Sequence, residues 1–179
     1  MKNKKIWWFL FRFFGTYLVL FLLYFLFLSV TEQKENGFKC DPLTQNVAEQ
    51  SSNLLRFFGE DVTTAQDQSE LCVKIMVEGY YMLGVIEGCN AASIIILFIA
   101  FVIAFKGTLK KTILFCLFGV VTIYLVNVLR ISILTYGVSY FRAYTKLLHN
   151  IIFPAIIYGY IFLLWIVWVN YFSNLKKSS

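Results

Sequence analysis

The sequence predicts an all-α polytopic membrane protein: four transmembrane helices, with a small outer-face subregion between the first and the second. Three observations predict it. Of 179 residues, 59% are hydrophobic, 19% aromatic and 15% charged, which is too apolar for a soluble domain of this size. Several apolar stretches approach or reach the roughly 20 residues that cross a bilayer. Charge is also segregated: all ten acidic residues lie between Glu32 and Glu87, and twelve of the sixteen basic residues lie outside that window. A net charge of +6 distributed in this way is a topology signal and argues against a nucleic-acid partner. Two prolines and no Gly/Ser tract give no linker, so 1–179 reads as a single membrane domain.

Transmembrane helix 1 is expected over 6–30. Lys2, Lys4 and Lys5 precede it, Trp7 and Trp8 sit at interface level, and Arg12 is close enough to the start to snorkel. No small-x-small cleavage site interrupts Tyr17 to Phe27, so the segment reads as an anchor and not as a removable signal. Residues 31–88 are expected to be extracytoplasmic. Asp41-Pro42 is a helix start, with Asp as cap and Pro in the first turn. Leu43, Val47, Leu54, Leu55 and Phe58 then form one apolar face, while Gln45, Glu49, Ser52 and Asn53 fall mainly elsewhere, and Gly59 ends the helix. Such an amphipathic helix lies on the membrane surface or on the rest of the protein. Residues 60–70 read as a loop. Leu71, Val73, Ile75 and Val77 alternate with Cys72, Lys74, Met76 and Glu78, a strand pattern, and Val85-Ile86 supplies a second short strand for a hairpin.

Transmembrane helix 2 is expected over 90–105, helix 3 over 112–136 and helix 4 over 151–171. Helix 2 is short for a span; either its start lies slightly inside the bilayer boundary or it is buried against its neighbours. The N-terminal lysines, the turn with Lys106, Lys110 and Lys111, and Lys176-Lys177 all fall on one side, read as cytoplasmic. Arg142 and Lys146 run against the charge rule but are outnumbered.

That topology puts three chemically capable residues at the opposite face. Cys89, in Glu87-Gly88-Cys89-Asn90, sits where a helix N-terminus favours thiolate over thiol; the competing reading is a packed structural cysteine. Arg130 shares a helix face with Asn127 and needs a partner or water, since a charge there is costly; it either snorkels to headgroups or offers donors to an oxyanion or carboxylate. His149 is the sole histidine; it either exchanges protons or, with Asn150, caps the last helix. Glu87 is either a helper or a solvated carboxylate, and Asn90 a cap or a hydrogen-bond donor. Cys40 and Cys72 are candidates for a disulfide that would leave Cys89 free. Cys116 reads as packing. One histidine and dispersed cysteines make no metal set, and no phosphate loop or other cofactor motif is present, so no cofactor is expected.

With those residues in order, the chain resembles the exosortase/archaeosortase family of membrane cysteine transpeptidases, and is most similar to the small type F-like exosortases of Bacteroidetes. Glu87-Gly88-Cys89-Asn90-Ala91 fits that family's acidic-small-Cys segment, Asn127-Val128-Leu129-Arg130 its Asn-x-x-Arg segment, and His149 the histidine before its last core helix. Asn90-Ala91 stands where many relatives have Ser-Gly, and four spans replace about eight in larger relatives. The resemblance implies a Cys89–Arg130–His149 site on the periplasmic face of the bacterial inner membrane. It implies as partners exported proteins bearing a C-terminal motif, a transmembrane helix and a basic tail, with cleavage through a thioester and transfer to an acceptor nucleophile. The competing class is a non-catalytic assembly or scaffold protein of an export system. A thiol oxidoreductase would need a Cys-x-x-Cys pair, and a transporter a polar midplane cluster; the sequence has neither.

Overall fold

The computed structural model describes residues 2–32, 38–105, 107–141, 147 and 151–172. It is mostly helical, with one small antiparallel sheet. The helices are α1 (Lys2–Thr31), α2 (Pro42–Phe57), α3 (Ala92–Ala104), α4 (Leu109–Tyr140) and α5 (Phe153–Val167), the last continuing as a π-type turn, Trp168–Phe172. The strands are β1 (Val62–Gln66), β2 (Val73–Val77) and β3 (Tyr80–Val85).

Among the described residues, three helical stretches are long and apolar enough to cross a membrane: Ile6–Thr31, Leu109–Tyr140 and Phe153–Phe172. The expected fourth span is α3, which has 13 residues. At 1.5 Å per residue it reaches about 20 Å, short of a hydrocarbon core of roughly 30 Å. One part of it is packed inside the unit: Phe98, Ala100 and Val102 are inaccessible, and Ile96 and Ala104 nearly so, while Ile103 is exposed. By contrast α1 carries Phe11, Phe14, Leu18, Leu22 and Leu26 exposed, a surface suited to lipid. α4 begins and ends beyond the expected 112–136, and its 32 residues exceed what a single crossing needs.

The chain divides into two compact units. The first comprises Met1–Leu26, Ala92–Ile123 and Tyr158–Ser179. Aromatic rings hold it together: Phe101 stacks on Trp165 with centroids 4.3 Å apart, Phe9 lies 4.5 Å from Phe105, and Phe115 lies 5.0 Å from Trp168. Gly119 of α4 lets α3 approach, because a β-carbon there would overlap the ring of the wholly buried Phe98.

The second unit comprises Phe27–Ala91 and Tyr124–Ile157. Its core joins Val47, Ala48 and Leu55 of α2, Val62, Val73, Ile75, Val77 and Val85 of the sheet, and Ile131 of α4. The sheet order is β1-β2-β3, all antiparallel. The alternation expected of β2 holds, with Val73, Ile75 and Val77 buried. A two-residue turn, Glu78-Gly79, links β2 to β3; both residues have positive φ, 51° and 78°, which suits the right-handed twist of a hairpin.

Two expectations are corrected here. Residues 62–66 are a strand, not part of a loop. Its inward positions Thr64 and Gln66 are polar, so no hydrophobic alternation marks it; they are satisfied instead by side-chain bonds, Thr64 Oγ1 donating to Glu49 Oε2 at 2.6 Å and Gln66 Oε1 accepting from the Cys40 amide at 3.1 Å. The buried face of α2 is Thr44, Val47, Ala48, Ser51, Ser52 and Leu55, at helical spacing but half of it small and polar. Ser52 is therefore inside, while Leu43 and Phe58 are exposed. The small residues let α4 come close: Ser51 Oγ, 2.7 Å from the Val47 carbonyl of its own helix, lies 3.3 Å from the Val128 carbonyl, and Ser132 Oγ shares its proton between the carbonyls of Val128 at 2.9 Å and Ser51 at 3.0 Å. The expected start of α2 is as drawn, with Asp41 accepting from the amides of Leu43 and Thr44; Gly59, at φ 95°, follows the end.

The turn between β1 and β2 is held by Asp67. Its carboxylate takes Lys74 Nζ at 2.6 Å and the amide and hydroxyl of Ser69 at 2.9 and 2.8 Å. The Lys74 ammonium, then the two Ser69 bonds, hold the Asp67 carboxyl well below the usual carboxylate range. Glu49 is lowered in the same sense by Thr64 and then Arg56. A depressed folded pKa contributes stability above the unfolded value, near 4, and loses it as pH falls toward the folded value. The thermal midpoint of the detergent-solubilised protein should therefore drop on acidification below about pH 4, and drop less in Asp67→Asn, as differential scanning fluorimetry would show.

Candidate functional site

Cys89 closes a single 3-10 turn, Glu87–Cys89, in which the Cys89 amide donates to the Ile86 carbonyl at 2.8 Å and the Asn90 amide to the Glu87 carbonyl at 3.1 Å. It does not open the next helix, as expected; α3 starts three residues later at Ala92. Between them Ala91 sits at φ 66°, a left-handed conformation that a β-carbon disfavours. The turn is therefore held from outside, and the neighbours that hold it belong to the second unit.

The first is Asn127 of α4, which has no exposed surface. Its Nδ2 donates to the Cys89 carbonyl at 2.7 Å. Its Oδ1 lies 3.5 Å from Arg130 Nη1, a long contact made one turn along the same helix face. Asn127 thus touches both the cysteine backbone and the guanidinium. Arg130 Nε is buried and finds no acceptor among the described residues, so this fork has donor capacity that those residues do not use. The second is Thr44 of α2, whose Oγ1 accepts from Asn90 Nδ2 at 3.2 Å.

Of the expected site residues, Asn127 joins the Cys89 backbone to Arg130, and Asn90, next in the chain to Cys89, bonds to Thr44. Glu87 contributes its carbonyl to the turn and makes no ion pair among the described residues. His149 and Asn150 lie outside the described residues. Cys40 and Cys72 are both buried and stand as free thiols rather than as a disulfide. Gln66 bridges their surroundings, its Nε2 lying 3.5 Å from Cys40 Sγ and 3.0 Å from the Cys72 carbonyl. Burial pushes both thiols up from the usual cysteine value, which keeps them protonated and unreactive at neutral pH. Cys89 is only half buried, against the rim of the α2–sheet core. Cys116 lies in α4 within a candidate span.

Thr44 was not legible as a site residue, being 46 positions from Asn90; the sole signal was its place three residues after the Asp41 cap. A groove of about 560 Å³ in the second unit is lined by Gln45, Glu49, Thr64 and Gln66 among others and does not include Cys89. The arrangement at Cys89 is a partly accessible thiol on a constrained turn, with its carbonyl already engaged and an arginine with spare donors anchored to the same asparagine. Such a set can add a sulfur nucleophile to a carbonyl and bind the resulting oxyanion.

Among known proteins, no curated sequence and no solved structure matches the chain. A family model described as transmembrane exosortase matches residues 6–171, a range that holds Cys89, Asn127, Arg130 and His149. With nearly the whole chain matched, the protein belongs to the transmembrane exosortase family.

Proposed function

We propose that this protein is a membrane-embedded cysteine transpeptidase that cleaves the C-terminal sorting signal of exported proteins and passes the new C-terminus to an acceptor. Membership of the exosortase family supports the reaction class. The observation that carries the residue assignment is Asn127, which joins the backbone of Cys89 to the guanidinium of Arg130.

In the proposed reaction the Cys89 thiolate adds to a substrate peptide carbonyl, whose π electrons move to oxygen. Arg130 donates to that oxyanion. Collapse breaks the C–N bond; His149 protonates the departing amine, leaving an acyl thioester on Cys89. The acceptor gives its proton to His149 as it attacks the thioester, and the thiolate departs. The substrate is an exported protein carrying a short motif, an apolar helix and a basic tail. The apolar helix packs in lipid beside the enzyme's spans, and the basic end favours the cytoplasmic side. The site then faces the outer side of the bacterial cytoplasmic membrane.

Mass spectrometry of the mature C-terminus of tail-bearing exported proteins, from cells with and without this gene, tests the proposal. Truncation near the motif, with or without an added acceptor mass, should appear only where the gene is present. Identical C-termini in both would reject it.

A further inference from the structure

We infer that Thr44 is a positioning residue for the Cys89 turn, acting through Asn90, an inference that rests on reading Cys89 as the nucleophile. The argument begins with Asp41. One of its carboxylate oxygens, Oδ1, accepts from the amides of Leu43 and Thr44 at 2.9 and 3.0 Å, and that alone caps α2. The other, Oδ2, takes no part in the cap. It accepts the Thr44 hydroxyl at 2.5 Å. A hydroxyl has one proton, and a carboxylate can only accept. With its proton committed to Asp41, Thr44 Oγ1 can meet Asn90 only as an acceptor, and Asn90 Nδ2 donates to it at 3.2 Å. Asp41 and Thr44 have no exposed surface and Asn90 has 3%, so water does not replace these bonds.

The Asp41–Thr44–Asn90 branch is superfluous to capping and ends on the residue after the cysteine. It opposes a local preference: Ala91 would sit more easily at negative φ, and that rotation would carry Asn90 and Cys89 with it. Asn127 restrains the turn from α4 through the Cys89 carbonyl, and Thr44 restrains it from α2 through the Asn90 side chain. Together they hold the backbone from which the thiol projects. With Thr44 removed, the Asn90 side chain loses the bond that ties it to α2.

The test uses the full-length membrane protein with a tail-bearing substrate. Thr44→Val keeps shape and loses the hydroxyl; Thr44→Ser keeps the hydroxyl. Thr44→Val should lower turnover at saturating substrate about tenfold, with KM changed less than about twofold, as expected of a misaimed nucleophile. The rate of Cys89 alkylation by iodoacetamide, followed by peptide mass spectrometry, should change at least about threefold. Thr44→Ser should restore both. Asp41→Asn, which keeps the capping oxygen but replaces the carboxylate that directs the hydroxyl, should shift both in the same sense and decides the matter if Thr44→Val does not fold. Wild-type turnover and alkylation in Thr44→Val or in Asp41→Asn would overturn the inference, as would a Thr44→Ser protein as impaired as Thr44→Val. If the unaltered protein processes no substrate, the nucleophile reading fails, and the alkylation rates still decide whether Thr44 sets the turn.

Discussion

Cys89→Ala should abolish release of the C-terminal tail, lowering turnover by on the order of 10⁵, while the protein still inserts and folds. The side chain is half buried at the edge of the α2–sheet core, and its removal leaves the amide and carbonyl that build the turn in place. The loss is therefore chemical: without sulfur no thioester forms. Cys89→Ser should be nearly as inactive, because a serine hydroxyl is far less ionised at neutral pH and far less nucleophilic than a thiol. The measurement is the fraction of substrate retaining its tail after fixed times, alongside trapping of the acyl-enzyme in the unaltered protein. Cys116→Ala should behave as wild type. Continued processing in Cys89→Ala would remove the peptidase mechanism altogether.

Arg130→Gln should lower turnover by on the order of 10²–10³ and leave KM nearly unchanged. Its Nη1 is tied to Asn127 and its Nε has no acceptor among the described residues. A donor without a ground-state partner gains most when a negative oxygen appears, which is when the tetrahedral intermediate forms. Arg130→Lys should recover little of the lost rate, since an ammonium cannot reach Asn127 and the oxyanion with one rigid fork. Single-turnover kinetics separate the outcomes: a slowed acylation step supports the oxyanion role, whereas a raised KM with normal turnover would make Arg130 a substrate-binding residue or a headgroup anchor.

Hydropathy and charge made the long helices α1, α4 and α5 legible, because lipid-facing residues must be apolar along their whole length. They left α3 undecided: a helix partly packed inside a bundle is as apolar as one that crosses a bilayer, and only its 13 residues set it apart. The sheet was half legible. β2 alternates Val, Lys, Ile, Met and Val, whereas β1 turns Thr64 and Gln66 inward and is specified by Glu49 and Cys40, more than a dozen residues away. The same physics hid the buried face of α2, where Thr44, Ser51 and Ser52 pass for surface residues until α4 and Asn90 are seen against it. At the site, the Asn127–Arg130 pair followed from helical spacing alone. Its link to Cys89 spans 38 residues and could not be read from any local pattern.

The sheet has a further consequence for the order in which the molecule comes together. All three strands and their two turns come from residues 62–85, each strand pairing with its neighbour in sequence, across turns as short as Glu78-Gly79. Such short-range contacts close quickly and need no distant segment. Asn127 and Arg130, however, emerge from the ribosome some forty residues after Cys89. The strands can thus pair while the Cys89 carbonyl still lacks Asn127, and the core still lacks Ile131, both of which come with α4.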